Sequence, residues 1–127
     1  MFAQIVIGSN DIAAARKFYN AVLATVGVPV GDFNEEIQRI YYRTSDGTFI
    51  VTKPADGNPA TVGNGGTLGF KCKTPEQAKA FHDAAVANGG VSIEDPPGWR
   101  TLGAGSKVYL AYVRDPSGHK LCATHYR

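Results

Sequence analysis

Apolar positions along the chain change period twice, from the two-residue step of a strand to the three- and four-residue steps of a helix, in the same order each time. Phe2 to Gly8 is apolar and β-branched and ends in Ser9-Asn10-Asp11, a polar cluster that stops a strand and offers a helix N-cap. Ile12, Ala15, Phe18 or Tyr19, Val22 and Val26 then recur on one helical face, with Arg16, Lys17 and Asn20 between them, and Gly27 closes the helix. Val28 to Phe33 holds Pro29 and Gly31, which predicts an edge or irregular strand. Glu36 to Arg43 and Phe49 to Thr52 pair across Asp46-Gly47 as a hairpin. In the second half Thr67 to Lys73 is a strand, and Thr74-Pro75-Glu76-Gln77 combines an N-cap, a proline at the first helical position and a capping-box glutamine. That helix runs through Ala78, Phe81 and Ala85 to Asn88 and stops at Gly89-Gly90. Val91 to Glu94 reads as a short strand, Pro96 to Gly105 as a loop, and Lys107 to Arg114 with Lys120 to Tyr126 as a hairpin.

The two halves are copies. At an offset of 63 residues Leu68 falls on Ile5, Phe70 on Ile7, Phe81 on Phe18 and Gly90 on Gly27. At an offset of 71, Tyr112 to Cys122 falls on Tyr41 to Val51, so the second half carries about eight extra residues around Pro96 to Gly105. The fold class is therefore α+β: two β-α-β-β-β modules, about 1–57 and 66–127, joined by the Gly-, Pro- and Asn-rich linker Lys53 to Gly65. A sheet covered on one face by a single helix leaves its other face bare, and two such sheets can join to enclose a shared cavity. Strand alternation puts Ile5, Ile7, Leu68, Phe70 and Cys72 toward the helices and Gln4, Thr67 and Gly69 toward the cavity, with Val51 and Cys122 in equivalent places on the last strands. Cys72 and Cys122 then lie on opposite sheet faces, out of disulfide reach.

Composition narrows the class without naming a function. The 127 residues are 43% hydrophobic and 19% charged, and a net charge of +2 with no basic run argues against nucleic acid as partner. The opening MFAQIVIGSND reaches a polar turn after a few apolar residues, so neither a signal peptide nor a membrane span is expected. Two cysteines without CxxC spacing suit a cytoplasmic protein.

The opening strand followed by NDIAAARKFYNAVL, the GNGGTLGF restart, EQAKAFHDAAVANGG and the closing YVRDPSGHKL resemble the vicinal oxygen chelate superfamily, which includes glyoxalase I, bleomycin resistance proteins and ring-cleaving dioxygenases. The resemblance covers essentially the whole chain and implies the paired-module fold; that fold serves isomerases, transferases, dioxygenases and binding proteins alike. It also implies four places for a divalent ion, on the first and last strands of each module, where the metal enzymes carry His or Glu. Here those places hold Gln4, Val51, Thr67 and Cys122, and an amide, an isopropyl group, a hydroxyl and one thiol do not make a usual zinc, nickel or iron site. No metal or other cofactor is expected. His82 falls on helix two, and His119 and His125 have the opposite parity to Cys122, so the histidines do not replace the missing ligands. Cys122 has no base beside it in sequence and is expected to pack rather than react.

The extra loop DPPGWRTLGAGSK holds the only Trp, with Arg100 next to it. Trp99 at the cavity mouth and Arg100 on an anionic group is one expectation; the other is a Trp that fills a gap or joins a dimer contact. The expected partner is a small organic molecule, bound by Gln4, Val51, Thr67, Gly69, Trp99, Arg100 and Cys122, with a homodimer and pairing of modules within or between chains both left open. Three rivals remain: a lyase or isomerase resembling glyoxalase I, an antibiotic-sequestering protein, and an interaction protein whose cavity is vestigial.

Overall fold

The computed structural model describes residues 1–127. The first module runs β1 (Gln4–Gly8), α1 (Ile12–Ala24), β2 (Asp32–Asn34), β3 (Arg39–Thr44) and β4 (Gly47–Thr52). The second runs β5 (Leu68–Lys71), α2 (Pro75–Ala87), β6 (Val91–Ser92), β7 (Gly98–Thr101), β8 (Lys107–Arg114) and β9 (Lys120–Tyr126). Strand order repeats: β1-β4-β3-β2 in one sheet and β5-β9-β8-β6 in the other, with the first and last strands of each module parallel. No helix is long and apolar enough to cross a membrane.

Local chemistry accounts for the helix ends. Asp11 accepts from the Ala14 N–H at 3.0 Å and Thr74 from the Gln77 N–H at 3.0 Å, each satisfying an orphan donor of a first turn. Gln77 also accepts from the Lys73 N–H at 2.7 Å, and Pro75 opens α2 where no donor is needed. Gly27 has φ +83, the left-handed conformation that ends α1 without a Cβ clash. Gly90 is required by space rather than by φ: a Cβ there would stand 2.9 Å from the Phe18 ring and 2.8 Å from the Ala85 carbonyl.

One expectation is corrected. The stretch Pro96 to Gly105 is not loop throughout, because β7 within it pairs antiparallel with Val108 and its neighbours on β8. β6 pairs with the Val113–Arg114 end of the same flank of β8, so β6 and β7 are one edge strand interrupted near Pro96-Pro97, which lack N–H donors.

Both modules bury their helix sides in one core. Phe18, Tyr19, Val22 and Leu23 from α1 share a cluster with Ile40, Tyr42 and Val51 of the first sheet, Ala78, Phe81 and Ala85 of α2, and Ala111, Val113, Leu121 and Ala123 of the second sheet. Aromatic rings cross the seam: Tyr19 to Phe49 at 5.1 Å, Phe49 to Phe70 at 5.5 Å edge to face, and Phe70 to Phe81 at 5.3 Å. Polar contacts pin the same seam. The Tyr19 hydroxyl donates to Asp115 Oδ2 at 2.5 Å, while Asp115 Oδ1 accepts from the Ser117 and His119 N–H groups, both at 2.9 Å. Burial and the neighbouring carboxylate push the Tyr19 phenol well above its ordinary pKa, so it stays a donor.

Tyr19→Phe leaves Asp115 Oδ2 buried without its donor and is expected to cost about 1–3 kcal/mol in chemical denaturation, with the far-UV spectrum unchanged. A loss below a few tenths would show that this hydrogen bond does not tie the modules.

Candidate functional site

Sheet register sorts side chains between the helix side and the open side. In the second module Gly69 pairs with Cys122, and Cys122 with Tyr112, so these three share the face that looks away from the helices. In the first module Val6 pairs with Ile50, and Ile50 with Tyr41, which gives the corresponding face. Ile50, Val108 and Cys122 are only 4%, 2% and 4% exposed, yet all three stand outside the core cluster. Each sheet thus buries apolar groups on both faces, and neither helix supplies the cover on the second.

Val51 is not on that face. It pairs with Ile7 and Ile40, is 1% exposed and belongs to the core between sheets and helices. The position equivalent to Cys122 is Ile50. The cause is the hairpin: β3 and β4 close from Thr44 to Gly47 over two residues, whereas β8 and β9 close from Arg114 to Lys120 over five. Tyr41 to Ile50 is therefore one residue shorter than Tyr112 to Cys122, and a one-residue slip turns every later side chain to the opposite face.

Trp99 and Arg100 are separated in the same way. Trp99 pairs with Tyr109 and lies 5.6 Å from its ring and 6.1 Å from that of His125, on the helix side. Arg100 pairs with Val108 on the open side, where it donates to the Asp95 and Pro96 carbonyls at 3.3 and 2.8 Å. Adjacent residues of a strand cannot both line one mouth.

The remaining positions are as the alternation predicts. Gln4 and Gly69 are exposed on the open side, and a Cβ at Gly69 would meet only Thr124 Oγ1, at 3.8 Å, so space lies above it. Thr67 lines a groove of about 330 Å³ between the edges of the modules, with Val6, Ile7, Gly8, Leu68 and Lys120. Cys72 is in the core and Cys122 is not, and both thiols are free. His125 contacts the Cys72 carbonyl at 3.0 Å and His119 the Gly8 carbonyl at 2.8 Å. His82 bridges Ser92 Oγ at 2.8 Å and Asp83 Oδ1 at 3.1 Å on the helix side. No group of three or more His, Cys, Asp or Glu side chains is placed to hold a metal ion. With Ile50 in place of Val51, the four positions offer one amide, one hydroxyl, one thiol and a hydrocarbon, which do not fit a divalent ion.

Open-face side chains that alternation alone did not single out complete the site. On the second sheet Lys120 sits 4.8 Å over the Tyr112 ring and pairs with Glu94. Burial, then the Cys122 thiol, push the Tyr112 phenol upward, and Thr124 Oγ1 donates to Cys122 Sγ at 3.3 Å. On the first sheet the Tyr41 ring lies between Arg43, at 4.5 Å, and Arg39, at 5.8 Å.

The modules do not join through these faces within the chain, contrary to the shared cavity expected between them. Their helix sides meet in one core, α1 against α2, and the open faces turn away from it.

The family model of the Glyoxalase/Bleomycin resistance protein/Dioxygenase superfamily matches residues 2–123. A glyoxalase/bleomycin resistance protein from Albidiferax ferrireducens T118 is similar over 98% of both chains, at 50% identity and a TM-score of 0.92. A glyoxalase-related enzyme from Fulvimarina pelagi (20% identity, 98% of this chain and 87% of that one, TM-score 0.72) and a lactoylglutathione lyase from Agrobacterium tumefaciens (16%, 98% and 92%, TM-score 0.67) share the fold. Among curated proteins no relative matches.

Tyr112→Ala is expected to raise the labelling rate of native Cys122 by a thiol reagent about tenfold or more, leaving Cys72 as slow as in the parent, because Cys122 is the cross-strand neighbour of Tyr112 on the open face and Cys72 lies in the core. Equal labelling of both thiols would contradict the face assignment.

Proposed function

Since the chain belongs to the Glyoxalase/Bleomycin resistance protein/Dioxygenase superfamily, we propose that it binds a small organic molecule on its open sheet faces without a divalent metal. The observation that carries this proposal is the chemistry at Gln4, Ile50, Thr67 and Cys122: one hydrocarbon and one thiol beside two uncharged hydrogen-bonding groups, which suits an organic ligand and supplies no set of metal donors. The space above Gly69 is the natural seat for part of such a ligand. Affinity then comes from apolar burial, at about 25 cal/mol per Å², and the polar groups set orientation.

A second copy of the chain is the proposed cover. The open faces of one chain turn away from its single core, so an enclosed cavity over either face needs another molecule, and a homodimer that sets the first sheet of one copy on the second sheet of the other would form two equivalent cavities. Binding without chemistry is favoured over a lyase or isomerase, because metal-assisted proton transfer has no ligand set here. The two free, buried cysteines fit a reducing, cytoplasmic setting.

Elemental analysis of the purified protein is expected to find well under one equivalent of divalent metal, and added zinc, nickel or manganese to leave the unfolding midpoint unchanged. Near one equivalent of ion, lost in Gln4→Ala or Cys122→Ala, would overturn the metal-free proposal.

A thermal-shift screen of small organic compounds is expected to give hits that Gly69→Leu weakens about tenfold or more by filling their space. Hits that bind Gly69→Leu as tightly as the parent would place the pocket elsewhere.

A further inference from the structure

We propose that Ser92, His82 and Asp83 form a nucleophilic triad on the helix side of the second sheet, with Ser92 accepting acyl groups from small carboxylic esters. Ser92 Oγ lies 2.8 Å from His82 Nε2, and His82 Nδ1 lies 3.1 Å from Asp83 Oδ1. An ionised carboxylate only accepts, so Nδ1 carries the ring proton and Nε2 is left to accept from the Ser92 hydroxyl. The two ring nitrogens thus take the roles that a general base and its orienting group require. Lys79 donates to Asp83 Oδ2 at 2.6 Å; that bond first, then the one from His82, hold the Asp83 carboxyl below its ordinary pKa, so it stays an acceptor. His82 is almost buried between α2 and β6, while Ser92 is exposed on the edge strand and open to a reagent from solvent.

The sheet edge also supplies a donor for the oxyanion that forms. The Ile93 N–H donates to the Tyr112 carbonyl, and Ser92 stands one residue earlier, opposite Val113. Bonded and unbonded pairs alternate along an antiparallel ladder, so the Ser92 N–H points away from β8, off the outer edge of the sheet. In the reaction Ser92 Oγ bonds to the ester carbonyl carbon while its proton passes to His82 Nε2. The carbonyl re-forms as the bond to the leaving oxygen breaks, and that oxygen takes the proton from Nε2. Water then repeats the exchange on the acyl-serine, which releases the carboxylic acid and restores the hydroxyl. The triad is separate from the open sheet faces, and its reaction is independent of any ligand bound there.

The test is reaction of the full-length protein with a fluorophosphonate, which phosphonylates an activated serine and releases fluoride, followed by peptide mass spectrometry. One label at Ser92 is expected, absent in Ser92→Ala and slowed about 100-fold in His82→Gln by loss of the base. Asp83→Asn, which keeps the shape but not the charge, should slow labelling about tenfold or more, and Asp83→Glu should restore part of the rate. The Asp83 side chain is 54% exposed, so its variants keep the test decisive where His82→Gln disturbs the packing of α2. The parent should also hydrolyse 4-nitrophenyl acetate about tenfold or more faster than Ser92→Ala. No label at Ser92, a labelling rate unchanged in folded His82→Gln or in Asp83→Asn, or equal ester hydrolysis by the parent and Ser92→Ala would overturn the inference.

Discussion

The contact between Phe49 and Phe70, edge to face at 5.5 Å, is where the two modules become one molecule. Each ring comes from a strand of its own sheet, and each packs on the aromatic residue of its own helix, Tyr19 or Phe81. A module alone would expose this helix side to water; joined, the two sides remove each other's apolar surface. Everything else in the layout follows from which faces were used. Spending the helix sides on the core leaves both open sheet faces available.

Duplication also explains why the site is hard to read from one copy. The repeat preserved backbone geometry more strictly than side chains: strand order is identical in the two sheets, and Gly27 and Gly90 hold equivalent positions for different reasons, one for its left-handed φ and one for closeness to Phe18. Side chains on the open faces diverged instead. Where the first module has Gln4, Ile50, Tyr41 and Arg39, the second has Thr67, Cys122, Tyr112 and Leu110. The two open faces therefore carry different chemistry, two arginines flanking a tyrosine on one and a thiol beside a tyrosine on the other.

Much of the fold was legible because it rests on local rules. Thr74, Pro75 and Gln77 act at the start of α2 as their spacing predicts, and β8 and β9 begin and end where the alternating runs do. The site was less legible because it depends on register. Val51 looked equivalent to Cys122 only while the two hairpins were taken as equal in length, and one residue of difference moved it into the core. Trp99 was placed beside Arg100 by adjacency, although neighbours on a strand face opposite ways once β7 forms.

Ile50 and Val51 are consecutive residues with opposite fates, one under the open face and one in the shared core. Methyl-labelled NMR spectra recorded while a bound compound from the screen is titrated in therefore test the central claim. The account predicts that Ile50 methyl resonances shift saturably with the ligand while those of Val51 stay in place. Shifts at Val51 with Ile50 unmoved would put the ligand on the helix side and contradict it.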